Sequence, residues 1–192
     1  MLIKSIDIVH GDLKPENVLV FPDDSGQHVP KVADFGFSCL GSKETDIVLL
    51  PKTLHWEAPE WHHRGFQISA AKKTDIYSFG LLCLWVLFNE QFVGNSRMVT
   101  EWPEAKAILL LSKLPLDGDE GSKLKELKEK DILLELTEKL INVNERTSVQ
   151  QKAQLMKFFN ATLRCDPSAR ELRLDILRGF SNLNRYCISN QL

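Results

Sequence analysis

Apolar positions come as short runs in the first third of the chain and as long stripes after it. Ile6, Ile8 and Val9 lead into a polar stretch from His10 to Asn17, and Val18-Leu19-Val20-Phe21 follows. A polar loop between apolar segments is held at the edge of a core. Residues 1–9 read as the last turns of a helix and the approach to that loop. Val18 to Phe21 and Val29 to Ala33 predict two short strands. The turn cluster Pro22-Asp23-Asp24-Ser25-Gly26 between them makes a hairpin with a polar tip. From Phe37 to Glu57 no periodicity is clear. Thr74-Asp75 opens a helix that is apolar almost all round as far as Phe88, and a helix with no polar face is a buried one. Residues 89–121 read as irregular, with short helical pieces and a turn from Pro115 to Gly121. Ser122 is placed to cap a helix from about Lys123 to Ile141. Its apolar face is Leu133, Leu136 and Leu140, and its charges, with Glu126 facing Lys130 and Glu135 facing Lys139, form a solvated face. Val149 to Leu163 is a further amphipathic helix, Leu172 to Phe180 closes the fold, and residues 181–192 are expected to be a loose tail.

Composition narrows the class. A chain of 192 residues that is 43% hydrophobic suits one domain with a sizeable core. A net charge of −2 gives no basic surface for nucleic acid or for a membrane. Cys39, Cys83, Cys165 and Cys187 are far apart and form no C-x-x-C pair, which reads as reduced thiols in a cytoplasmic or nuclear protein. The amino terminus is too short and polar for a signal peptide. The longest apolar run, Phe79 to Phe88, is too short to span a bilayer. His55, His62 and His63 lie near one another in sequence, without the spacing of a metal site.

The chemistry is concentrated in His10-Gly11-Asp12-Leu13-Lys14-Pro15-Glu16-Asn17, which sets an acid, a base and an amide side by side. This stretch resembles the catalytic loop of protein kinases, H-R-D-L-x-x-x-N. Further motifs follow in the family's order. Ala33-Asp34-Phe35-Gly36 ends the second strand, and Ala58-Pro59-Glu60 closes the segment after it. Asp75 to Gly80 is similar to the head of the large lobe's central helix, with Tyr77 in place of Trp, and Arg170 follows late in the chain. The resemblance runs from about Lys4 to Phe180. The wording of the loop looks like that of kinase-like proteins of filamentous fungi.

The resemblance implies a mainly α (α+β) fold, the large lobe of a protein kinase with one small β-hairpin and without the small N-terminal lobe. The domain would span 1–180, with 181–192 as the tail. It implies a serine/threonine kinase that transfers the ATP γ-phosphoryl group to a protein hydroxyl. Asp12 would be the catalytic base and Lys14 would neutralise the transferred group. Lys14, Glu16, Asn17, Leu19 and Asp34 would bind the nucleotide, with Asn17 and Asp34 holding Mg²⁺. Thr53 stands where the family's threonine bonds the catalytic Asp and Lys. Asp75 should accept hydrogen bonds from the loop backbone near His10, and Arg170 should pair with Glu60. Gly11 replaces the family's Arg, so an activation-segment phosphate has no such partner here. The Gly-rich loop, the strand Lys and its Glu partner are missing. The chain alone is therefore expected to be inactive, or to need a missing N-terminal lobe or second polypeptide. The rival readings are a non-catalytic binding module and an incomplete gene product. ATP and a protein substrate are the implied partners, with no nucleic acid and no membrane.

Overall fold

The computed structural model of the chain describes residues 8–40, 43–53, 55–93, 118–145 and 147–171. Expectations for residues 1–7, for the closing stretch 172–180 and for the tail lie outside these. The described part is helix-rich, with three small antiparallel strand pairs. Strand β1 (Ile8–Val9) pairs with β4 (Cys39–Leu40), β2 (Val18–Pro22) with β3 (His28–Val32), and β5 (Ile47–Val48) with β6 (Phe66–Gln67). Ile8 and Val9, in the approach to the loop, are thus extended. The β2–β3 hairpin lies where the two apolar runs and the turn cluster place it. Val18 stands opposite Val32 and Phe21 opposite Val29. Its tip is closed by Asp23, whose carboxylate accepts from the backbone of Ser25 and Gln27.

Four α-helices follow among the described residues: α1 (Ile68–Val93), α2 (Gly118–Glu129), α3 (Ile132–Val143) and α4 (Val149–Thr162). Helix α1 starts six residues before Thr74 and ends five after Phe88. Ala70-Ala71-Lys72-Lys73 are good helix formers and carry the helix upstream. Asp75 therefore sits inside the helix and not at its head. Helix α2 takes in Ser122 and reaches back to Gly118, so Ser122 and the 118–121 part of the expected turn are helical. The single helix expected from Lys123 to Ile141 is two. Asp131 takes a left-handed conformation (φ 56°), and its carboxylate accepts from the Cys165 backbone N–H. Helix α4 begins with a capping box, in which Ser148 accepts from the Gln151 backbone and Gln151 accepts from Ser148.

The main core lies between α1, α3 and α4. Tyr77, Leu81, Leu84 and Phe88 of α1 are buried against Leu133, Leu140, Phe158 and Phe159. Phe79 meets Phe158 edge to face at 5.9 Å. Gly80 is what lets α4 approach, since a Cβ there would lie 2.6 Å from Thr162 Oγ1 and 2.8 Å from Leu163 Cδ2. A second, smaller core under the site joins Val9, Val48, Leu50, Phe66, Ile68 and Ala71. Val9 and Leu50 anchor the two ends of the polar machinery that follows.

Candidate active site

The loop after β1 is held from below by α1. The backbone N–H groups of His10 and Gly11 donate to the two carboxylate oxygens of Asp75, at 2.6 and 2.9 Å. Burial pushes the Asp75 carboxyl above the ordinary carboxylate range, and these two bonds oppose that push. The buried His10 ring ties the loop to the end of β3. Its Nδ1 accepts from the Asp12 N–H at 3.3 Å, so Nε2 carries the proton and donates to the Ala33 carbonyl at 3.0 Å. The same ring lies 5.1 Å from that of Phe35.

Asp12, held this way, is buried and gripped on both oxygens. Oδ2 receives Lys14 Nζ at 2.6 Å and Asn17 Nδ2 at 3.2 Å, and Oδ1 receives the Thr53 hydroxyl. Burial raises the carboxyl. The hydrogen bonds from Lys14 and Thr53, the charge of Lys14 and the bond from Asn17 together outweigh it and hold Asp12 below the ordinary range. It is an ionised acceptor at neutral pH, in a cluster that Lys14 leaves partly open to solvent.

The short 3₁₀ turn Pro15–Asn17 brings Asn17 back under the loop. Its amide nitrogen also donates to the Asp12 carbonyl at 2.8 Å, which leaves Oδ1 as the atom that can face a cation. The Ala33 N–H donates to the Asn17 carbonyl at 2.8 Å, so Asp34 follows directly across the hairpin. Asp34 is exposed, stands in a left-handed conformation (φ 58°) and accepts from the Gly36 N–H at 3.2 Å. Two oxygen donors, one an ionisable carboxylate, suit a hard cation such as Mg²⁺ that keeps several waters. Glu16 is exposed, and Leu19 is 46% exposed on β2. The structure thus brings Asp12, Lys14, Asn17 and Thr53 into one hydrogen-bonded cluster and joins Asp34 to it through Ala33. Glu16 and Leu19 stand outside the cluster's bonds.

Gly11 has a conformation that matches its missing side chain. Its φ is 81°, and a Cβ would lie 3.1 Å from Leu50 Cδ2 and 3.3 Å from the Phe37 carbonyl oxygen. Leu50 and Phe37 crowd the place where a longer residue would start.

The segment that carries Thr53 is fastened at three further points. Ser78 of α1 donates to the Trp56 carbonyl at 2.8 Å. Lys128 of α2 donates to the carbonyls of His55 and Glu57, at 2.6 and 2.9 Å. Arg170 forks onto Glu60, at 2.6 and 2.9 Å. Its remaining N–H groups reach the carbonyls of Arg164, Lys73 and Cys165, so all five donors of a fully buried guanidinium are used. The guanidinium also lies 4.6 Å over the Tyr77 ring. Lys128 corrects the reading of its helix as a solvated charged face, because its side chain is buried. Burial lowers its ammonium to about 8, against the pull of Glu57. The missed signal is its position four residues after Leu124, on the apolar stripe of α2.

A buried, ionised aspartate flanked by lysine, asparagine and a threonine from a distant segment, on a loop hung from an apolar helix, defines a protein kinase large lobe. The family model described as protein kinase domain matches residues 2–177, and the chain belongs to that family. Among curated relatives, it is 41% identical over 96 residues to a leaf rust 10 disease-resistance locus receptor-like protein kinase-like protein of Arabidopsis thaliana, covering 47% of this chain and 10% of that one. It is 30% identical over 103 residues to the leucine-rich repeat receptor-like protein kinase TDR of the same plant, covering 52% and 9%. It is 33% identical over 127 residues to a probable receptor-like serine/threonine-protein kinase of that plant, covering 65% and 19%. The chain spans from about a tenth to a fifth of the length of these relatives. All three are plant proteins, and they lend nothing to the fungal likeness of the loop wording. Among the described residues, no helix is long and apolar enough to cross a membrane.

Proposed function

We propose that the chain carries the catalytic loop of a serine/threonine protein kinase, which moves the γ-phosphoryl group of ATP onto a protein hydroxyl. The observation that carries this is the grip on Asp12. Lys14 and Thr53 hold opposite oxygens of one buried, ionised carboxylate. Such a carboxylate can orient a substrate hydroxyl and take its proton as the oxygen bonds to phosphorus. Lys14, partly exposed beside it, offsets negative charge on the transferred group. Asn17 Oδ1 and the Asp34 carboxylate would hold Mg²⁺, which when bound offsets the charge of the nucleotide's phosphates. Glu16 and Leu19 flank Asn17 and are offered to the nucleotide on the family's pattern.

The test is transfer of labelled phosphate from ATP to a generic protein substrate. The chain is assayed alone and with a kinase small lobe supplied in trans. Transfer that falls by about 10²-fold or more in Asp12→Ala supports the reading. Transfer indifferent to that substitution, or absent under both conditions, overturns it.

A further inference from the structure

Between the segment 52–63 and α2 lies a cleft of about 430 Å³. Its rim is cationic. Lys52 is exposed, with Nζ 5.9 Å from the centroid of the Trp61 ring. Lys125 faces it from α2, 71% exposed, with Glu129 at 3.6 Å as its helix partner. His62 and His63 line the same wall, and Lys128 forms the floor. Glu57 is the acidic residue of the lining.

Three buried polar atoms of the lining have no hydrogen-bond partner among the described residues: His55 Nε2, Trp61 Nε1 and Glu57 Oε2. Buried polar groups are normally paired, so each points to a missing partner. Trp61 can only donate and ionised Glu57 can only accept. A free inorganic anion would satisfy Trp61 and the lysines but be repelled by Glu57. A polypeptide brings both kinds of group: an acidic side chain for the rim and a main-chain N–H for Glu57.

We infer that this cleft binds an acidic polypeptide segment, whose carboxylate or phosphate groups meet Lys52, Lys125 and Trp61 while its backbone donates to Glu57. Lys52 is followed by Thr53, whose hydroxyl holds Asp12, so an occupant lies beside the support of the candidate base. That the occupant is a substrate rests on the kinase reading; that it binds does not.

Fluorescence anisotropy of the full chain tests this with three labelled peptides: aspartates around a serine, the same with asparagines, and the asparagine peptide with its serine phosphorylated. At least one of the two acidic peptides should bind about tenfold more tightly than the neutral one, and less tightly as salt rises. The double variant Lys52→Glu/Lys125→Glu should lose about tenfold. Both side chains are exposed, and the thermal midpoint of the double variant checks that it remains folded. Tighter binding of the phosphopeptide assigns the cleft to phosphorylated segments, and tighter or equal binding of the aspartate peptide assigns it to carboxylates. This binding is expected even where phosphate transfer proves absent. Equal affinity for acidic and neutral peptides, no binding of either, or an unaltered double variant overturns the assignment.

Discussion

At Gly11 the absent side chain and the backbone conformation agree. A left-handed φ of 81° costs an L side chain roughly 1–2 kcal/mol, and a Cβ would press on Leu50 at 3.1 Å. Gly11→Ala is expected to lose about 1–3 kcal/mol in a denaturant titration, and an unchanged midpoint would show that the loop does not hold this turn. An arginine at this position would need the same turn and the space Leu50 takes. The next residue, Asp12, couples stability to pH. Its folded pKa is depressed, so its ionised form stabilises the fold above the ordinary carboxylate range. That contribution drains as pH falls through the lower folded value. The stability advantage of wild type over Asp12→Asn should therefore shrink below about pH 4. A gap that widened toward acid would contradict the grip. Asp12, Lys14 and Asn17 were legible because their chemistry is set by local spacing. Leu50 and Lys128 were not, because what they touch is distant in sequence and their residue types point the other way, one apolar in a loop and one charged in a core.

Among the elements, the hairpin and α4 lie within a residue or so of where periodicity put them, since turn residues bound the first and Ser148 caps the second. The ends of α1 and the break after α2 were not legible. Alanine and lysine carry a helix without any amphipathic signal, and the stop at Asp131 is a tertiary one, a carboxylate bonded to the Cys165 backbone. Glycine is a poor helix former, and Gly80 lies inside α1. Its role is the close approach of α4, which only the packed structure displays. Gly80→Ala should raise intrinsic helix propensity yet destabilise by about 1–3 kcal/mol, because the added methyl would overlap Thr162 and Leu163. A thermal midpoint that rises instead would mean the two helices can part without loss.

Over the whole molecule, the described surface is least protein-like on the hairpin. Leu19, Val20, Phe21, Val29 and Val32 are all more than a third exposed, with Phe35 and Phe37 beside them. An apolar patch of this kind favours association, with a partner or with itself. By contrast one face of α1 is covered, with Tyr77, Leu81, Leu84 and Phe88 buried, while Val86 is 63% exposed. The opposite extreme of order is Arg170. Arg170→Ala leaves Glu60 without its partner and three carbonyls without their donors. It should cost about 3–5 kcal/mol, read as a lower midpoint in thermal or denaturant unfolding. No change would mean that the pair is exposed in solution. Glu60 and Arg170 stand 110 positions apart. A ribosome adding roughly 5–20 residues per second leaves Glu60 waiting on the order of ten seconds for its partner. During synthesis, the segment that supports Asp12 therefore lacks its Arg170 clamp for that time, and a nascent chain that stalls before Arg170 carries the Asp12 loop on a segment that Ser78 and Lys128 can hold but Arg170 cannot.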